Sequence, residues 1–79
     1  MSFKGKNILI TGGCGSVGSE LVSRLLRDAK VIRIFDNYEN GLFQMQQKYK
    51  NHKNVRYLLG DIRDKERLEI AMENIDIVF

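Results

Sequence analysis

The chain has 79 residues, 43% of them hydrophobic and 29% charged, with a net charge of +3 and a pI near 9.2. That length bounds it to at most one small domain, which buries only about 60% of its unfolded surface. A single cysteine excludes an internal disulfide framework and fits a reducing cytoplasm, and one His with one Cys makes no metal site. The basic residues are scattered among the acids with no arginine–aromatic cluster, which argues against nucleic acid as a partner.

Met1 to Lys6 carries charge with no long apolar core behind it, so neither a signal peptide nor a membrane span is expected. Asn7 to Thr11 is a short continuous apolar run, the pattern of a strand buried on both faces. It ends abruptly in Gly12-Gly13-Cys14-Gly15-Ser16-Val17-Gly18, and an amphipathic pattern begins at about Ser16. A strand, a tight glycine turn and a helix opening at the turn make a socket for an anion. The helix's unpaired N–H groups and positive dipole end point back at the glycines. Gly12, Gly15 and Gly18 have the required spacing: one for a positive φ, one for close approach of a ligand, one for helix packing. The alternative register, G-x-G-x-x-G from Gly13, fits the same residues.

The first helix is expected from Ser16 to about Asp28, with Val17, Leu21 and Leu25 as its apolar stripe, widened by Val22 and Leu26, and a Glu20–Arg24 pair outside. Cys14, at the mouth of this helix, sits in a setting that lowers a thiol pKa; a small residue filling a tight slot is the plainer reading. Val31 to Phe35 is a second strand closed by Asp36, 18 positions after Gly18. That carboxylate can accept hydrogen bonds from both ribose hydroxyls of an adenosine and would repel a 2′-phosphate. With Asn37 rather than arginine beside it, the site favours NAD over NADP. The bland alternative is an aspartate that caps the following corner.

A second helix is expected from Asn40 to Lys50 with Tyr38, Leu42, Met45 and Tyr49 on one face. Asn51 to Asn54, including His52, reads as a solvated loop. Val55 to Leu59 is a third strand ending in Gly60-Asp61-Ile62-Arg63-Asp64. There Asp61 can accept from an adenine amino group and Ile62 can pack on the ring, or the segment is ordinary turn chemistry. Asp64 caps a third helix carrying Leu68, Ala71 and Met72, Asn74 suits a left-handed ending, and Asp76 to Phe79 starts a fourth strand. The order βαβαβαβ with short loops implies a parallel, right-handed, three-layer Rossmann-type α/β sheet. The expected strand order is 3-2-1-4, the incomplete N-terminal part of a doubly wound domain spanning residues 1–79. Tyr49 and Lys53 match Y-x-x-x-K, but they fall between the second and third strands, where they cannot face a nicotinamide beyond strands 1 and 4.

Thr11 to Gly18, Asp36 and Gly60 to Asp64 together resemble the extended short-chain dehydrogenase/reductase superfamily. Gly15 to Leu21, Phe35 to Asn40 and Gly60 to Leu68 look like its polysaccharide-biosynthesis, CapD-like branch of nucleotide-sugar 4,6-dehydratases and epimerases. The resemblance implies NAD, oxidation at a sugar C4 hydroxyl, a UDP-sugar substrate and a homo-oligomeric parent enzyme. It matches Gly12, Gly15, Ser16, Val17 and Gly18 to the pyrophosphate turn, Asp36 and Asn37 to the ribose, and Asp61 and Ile62 to the adenine pocket. The family's catalytic Thr/Ser, Tyr and Lys would lie beyond Phe79, so catalysis is not expected of these residues alone. A non-catalytic NAD(P)-binding module or redox sensor is the alternative. A methyltransferase is disfavoured, because Thr11 rather than an acid leads into the glycine turn.

Overall fold

A computed structural model describes residues 2–79. The elements are β1 (Asn7–Thr11), α1 (Ser16–Leu25), β2 (Val31–Asp36), α2 (Glu39–Lys48), β3 (Val55–Leu59), α3 (Lys65–Ala71) and β4 (Ile77–Val78). The strands form one parallel sheet in the order β3-β2-β1-β4, as expected. In register, Ile8 lies beside Ile32 and Ile77, and Ile32 beside Val55.

Alternation along the strands divides the core between the two faces of the sheet. Ile8, Ile10, Ile32, Ile34 and Val55 point to one face and pack with Val22 and Leu25 of α1 and with Leu42, Met45 and Tyr49. Leu9 and Phe35 point to the other and pack with Ala71, Leu58, Leu68 and Ile75. Helices on both faces require a crossover from one to the other, which occurs between β3 and β4. β1 therefore has neighbours reached from opposite sides, and the C-terminal end of β1 is a topological switch point. Strand β1 is buried on both faces, with Ile8 and Leu9 at 0% exposure.

Three local expectations are corrected. α1 ends at Leu25 rather than Asp28, because Asp28 and Ala29 both donate to the Leu25 carbonyl and turn the chain toward β2. Val17 and Tyr38 are 76% and 55% exposed rather than part of the apolar stripes, since each sits at the mouth of its helix, beyond the sheet it would have to touch. Met72 is also half exposed, and Ile75 fills the core beside Ala71 instead.

Other local features follow the sequence. Arg24 meets Glu20 at 2.9 Å, Asp64 accepts from the Arg67 amide, and Asn74 is left-handed at φ 60°. Polar side chains then tie the loops between elements. The Arg33 guanidinium donates to the carbonyls of Ala71 and Glu73 at 2.6 and 3.0 Å, closing the end of α3. Asn54 donates to the carbonyls of Leu26 and Ala29 at the end of α1.

Candidate functional site

The C-terminal ends of β1, β2 and β3 converge around Thr11-Gly12. On the β3 side is a recess of about 340 Å³: Asp36 and Asn37 come from the end of β2, Gly60, Asp61 and Ile62 from the end of β3. On the β4 side is a second recess of about 520 Å³, walled by Gly15 to Gly18 at the start of α1, with Leu21 and Phe79. Thr11 and Gly12 border both, so the nine expected residues surround one continuous trough.

The four glycines of the turn have separate jobs. Gly12 takes φ +65° and has nothing within 4 Å of where a Cβ would stand, so its conformation alone demands glycine. At Gly13 a Cβ would stand 2.4 Å from the Ile34 side chain, so the turn lies tight on β2. At Gly18 it would stand 2.6 Å from the Gly13 Cα and 2.7 Å from the Gly12 carbonyl oxygen, so the helix is packed directly on the turn. At Gly15 the nearest atom would be 3.4 Å away; here the missing side chain leaves the trough open rather than relieving a clash. Gly13 was not among the expected site residues. Its role depends on Ile34, a residue of the neighbouring strand.

Gly15 is the N-cap of α1, so no side chain caps the helix, and no acid occupies its first turn. The Ser19 amide reaches the Gly15 carbonyl at 2.9 Å; among the described residues the amides of Ser16, Val17 and Gly18 have no acceptor. Three N–H groups and the positive end of the helix dipole therefore face the trough unsatisfied.

Asp36 caps the corner after β2, the plainer of the two roles that the sequence left open for it. Its Oδ1 accepts from the Tyr38 amide and its Oδ2 from the Cys14 amide, each at 3.0 Å, so one carboxylate ties the corner after β2 to the glycine turn. It also lines the recess, and each of its oxygens keeps acceptor capacity beyond these bonds. Asp61 is bound more fully. The Arg63 amide donates to its Oδ1 at 2.8 Å and the Arg63 guanidinium to its Oδ2 at 2.7 Å, an Asx turn reinforced by an ion pair. Those bonds hold the Asp61 carboxyl down to about 2. Asp61 is thus a permanent anion on the wall of the recess, beside the exposed side chain of Ile62.

Cys14 does not have the lowered thiol pKa that its place near a helix start suggested. Burial pushes it up to about 11, with the Asp36 carboxylate adding to the shift. The side chain packs into the core cluster and against Gly41, where a Cβ would stand 3.0 Å from the Cys14 sulfur. It is a small residue filling a tight slot. Tyr49 is buried among the core residues of α1 and β2, on the face of α2 that packs on the sheet, and His52 is exposed. Tyr49 lines neither recess.

A parallel 3-2-1-4 sheet, a glycine turn opening an uncapped helix, and an acid ending the second strand define the class of Rossmann-type α/β proteins. Within it, the chain belongs to the family described as polysaccharide biosynthesis protein, which matches residues 8–79. It is 45% identical over 78 residues to a protein of Methanocaldococcus jannaschii named uncharacterized membrane protein MJ1061. It is 46% identical over 78 residues to an inverting UDP-N-acetylglucosamine 4,6-dehydratase of Campylobacter jejuni. These alignments take in 98% and 96% of this chain but 23% of each relative, so the chain spans about a quarter of the length of the curated proteins it matches. The solved structure of Pen from Bacillus thuringiensis superimposes with a TM-score of 0.95 at 46% identity, over 100% of this chain and 25% of that one. Among the described residues, no helix is long and apolar enough to cross a membrane.

Proposed function

We propose that these residues form the dinucleotide-binding, N-terminal part of a nucleotide-sugar 4,6-dehydratase or epimerase, and that the dinucleotide is NAD. The observation that carries the reading is the pairing of two features across one trough: free amides at the start of α1 and the Asp36 carboxylate at the end of β2. A pyrophosphate satisfies the amides of Ser16 and Val17, and the open face of Gly15 admits it. Asp36 accepts from the ribose hydroxyls with lone pairs not used by Cys14 and Tyr38, and Asn37 beside it brings no cation to hold a 2′-phosphate. Ile62 offers an apolar surface to an adenine ring, and Asp61 an acceptor at its edge.

When bound, NAD supplies a reversible hydride acceptor, the chemistry needed to oxidise a sugar C4 hydroxyl. The residues of this chain bind and orient; the reading assigns none of them a proton-transfer step. The relative that acts on UDP-N-acetylglucosamine supports a UDP-sugar as substrate.

The test is isothermal titration of the full-length protein with NAD and NADP, followed by incubation of the NAD-loaded protein with UDP-N-acetylglucosamine and UDP-glucose. The reading predicts NAD affinity above NADP affinity, and a 4-keto or C4-inverted product. NAD binding with no product from any UDP-sugar would leave a binding module or redox sensor in place of an enzyme. No binding of either dinucleotide would overturn the reading entirely.

A further inference from the structure

Because all four strands are parallel, every segment that enters a strand lies at one end of the sheet, opposite the trough. That end is basic. Lys4 and Lys6 precede β1, Arg27 and Lys30 precede β2, and Lys48, Lys50 and Lys53 lead from α2 toward β3. Arg56, at the start of β3, curls back to donate to the carbonyls of Lys53 and Val55. All are exposed.

Hydrogen bonds sew these segments into one surface. The Gly5 amide donates to the Asp28 carbonyl and the Lys30 amide to the Lys6 carbonyl, each at 2.8 Å. Asn54 links the third segment to the second through the carbonyls of Leu26 and Ala29. The carboxylates at this end are Asp28, Glu69 in the last turn of α3, Glu73 and Asp76, and Asp76 is occupied by the Asn7 amide at 2.8 Å. The ion pairs among the described residues, Arg24–Glu20 and Arg63–Asp61, include none of the eight basic groups. Cations near helix C-termini complement the dipoles of α1 and α2, but one or two suffice for that. Eight cations at one end, none of them in an ion pair among the described residues, exceed the requirement.

We infer that this basic end docks the protein on an anionic phospholipid surface, with the nucleotide trough facing away into solution. Six of the eight groups are lysines, mobile point charges suited to a diffuse field of headgroups rather than to bidentate recognition. The exposed phenylalanine and tyrosine residues, Tyr38, Phe43 and Phe79, belong to α2 and its start and to the end of β4, so among the described residues this end offers bases a single exposed ring, His52, rather than a stacking platform. It is built from loops and strand starts, with neither a protruding helix nor a β-ribbon to enter a DNA groove.

The experiment is co-sedimentation of the full-length protein with phosphatidylcholine vesicles that contain or lack phosphatidylglycerol. Binding is expected only with phosphatidylglycerol, weakening steeply as salt rises. The variant K48E/K50E/K53E is expected to lose about tenfold or more in partition at unchanged NAD affinity. Its neutral counterpart K48Q/K50Q/K53Q is expected to fall between it and the parent, and is read alone if the glutamates disturb folding. Equal sedimentation with both lipids, none with either, or binding undiminished in the variants would overturn the inference. So would tighter binding to a DNA duplex or to polyuridylate than to the vesicles.

Discussion

The Asp36 carboxylate accepts a hydrogen bond from the Cys14 amide at 3.0 Å, fastening the end of β2 to the middle of the glycine turn. The same group accepts from Tyr38 and lines the recess, so one carboxylate both ties the fold together and walls the candidate site. Asp36→Ala should weaken NAD binding by ~1–3 kcal/mol and also lower the melting temperature of the NAD-free protein, since two backbone amides lose their acceptor. Asp36→Asn keeps one carbonyl acceptor and should fall between. Calorimetric titration and thermal unfolding of the three proteins check both effects. Unchanged NAD affinity in the alanine variant would discredit the ribose assignment.

The paired glycines make a sharper distinction. Gly18→Ala puts a methyl group 2.6 Å from backbone, which must move, so it should cost on the order of 1–3 kcal/mol in stability as well as affinity. Gly15→Ala meets nothing closer than 3.4 Å and keeps an extended backbone with φ −74° and ψ 173°, so stability should change by no more than ~0.5 kcal/mol. Its methyl group should nevertheless obstruct the trough and reduce NAD affinity about tenfold or more. Denaturant unfolding beside titration separates the two glycines.

The raised Cys14 thiol gives a pH dependence. The folded state holds this proton more tightly than the unfolded chain does. The thiol's contribution to stability should therefore be fully present below pH 9.0 and be lost as pH rises toward about 11. Alkylation by iodoacetamide, followed by mass spectrometry, should be slow at neutral pH and accelerate only in strong alkali. In Asp36→Asn the thiol pKa should fall, yet stay above 9.0, because burial is the larger cause. A fast-reacting thiol at neutral pH would contradict the packing described for Cys14.

Arg63→Ala should return the Asp61 carboxyl from about 2 toward 3.8, visible in a carbon-detected NMR titration of its side chain. The sign follows from the removed partner: Arg63 stabilises the charged form, so without it protonation begins at higher pH. An Asp61 titration unmoved by the substitution would mean that the ion pair is not populated.

The strand order and each βα unit were legible because apolar periodicity is local, and a parallel sheet admits few arrangements of such units. Asp64 as a cap and Glu20 with Arg24 were legible for the same reason: the partners lie three or four residues apart. What escaped depends on distant partners. Val17 fits a helical stripe, but the sheet beneath it has already ended. Gly13 is demanded by Ile34, 21 positions on, and the Cys14 thiol is set by Gly41 and Asp36 rather than by the helix beside it in sequence. Periodicity also could not show that Asp36 serves the turn and the corner together; that follows only once β2 lies against β1.

The most direct measurement is a crystal structure of the protein soaked with NAD. The account predicts the diphosphate within hydrogen-bonding distance of the Ser16 and Val17 amides, and the adenosine ribose hydroxyls on Asp36. A diphosphate bound elsewhere, or a trough that stays empty at saturating NAD, would contradict it.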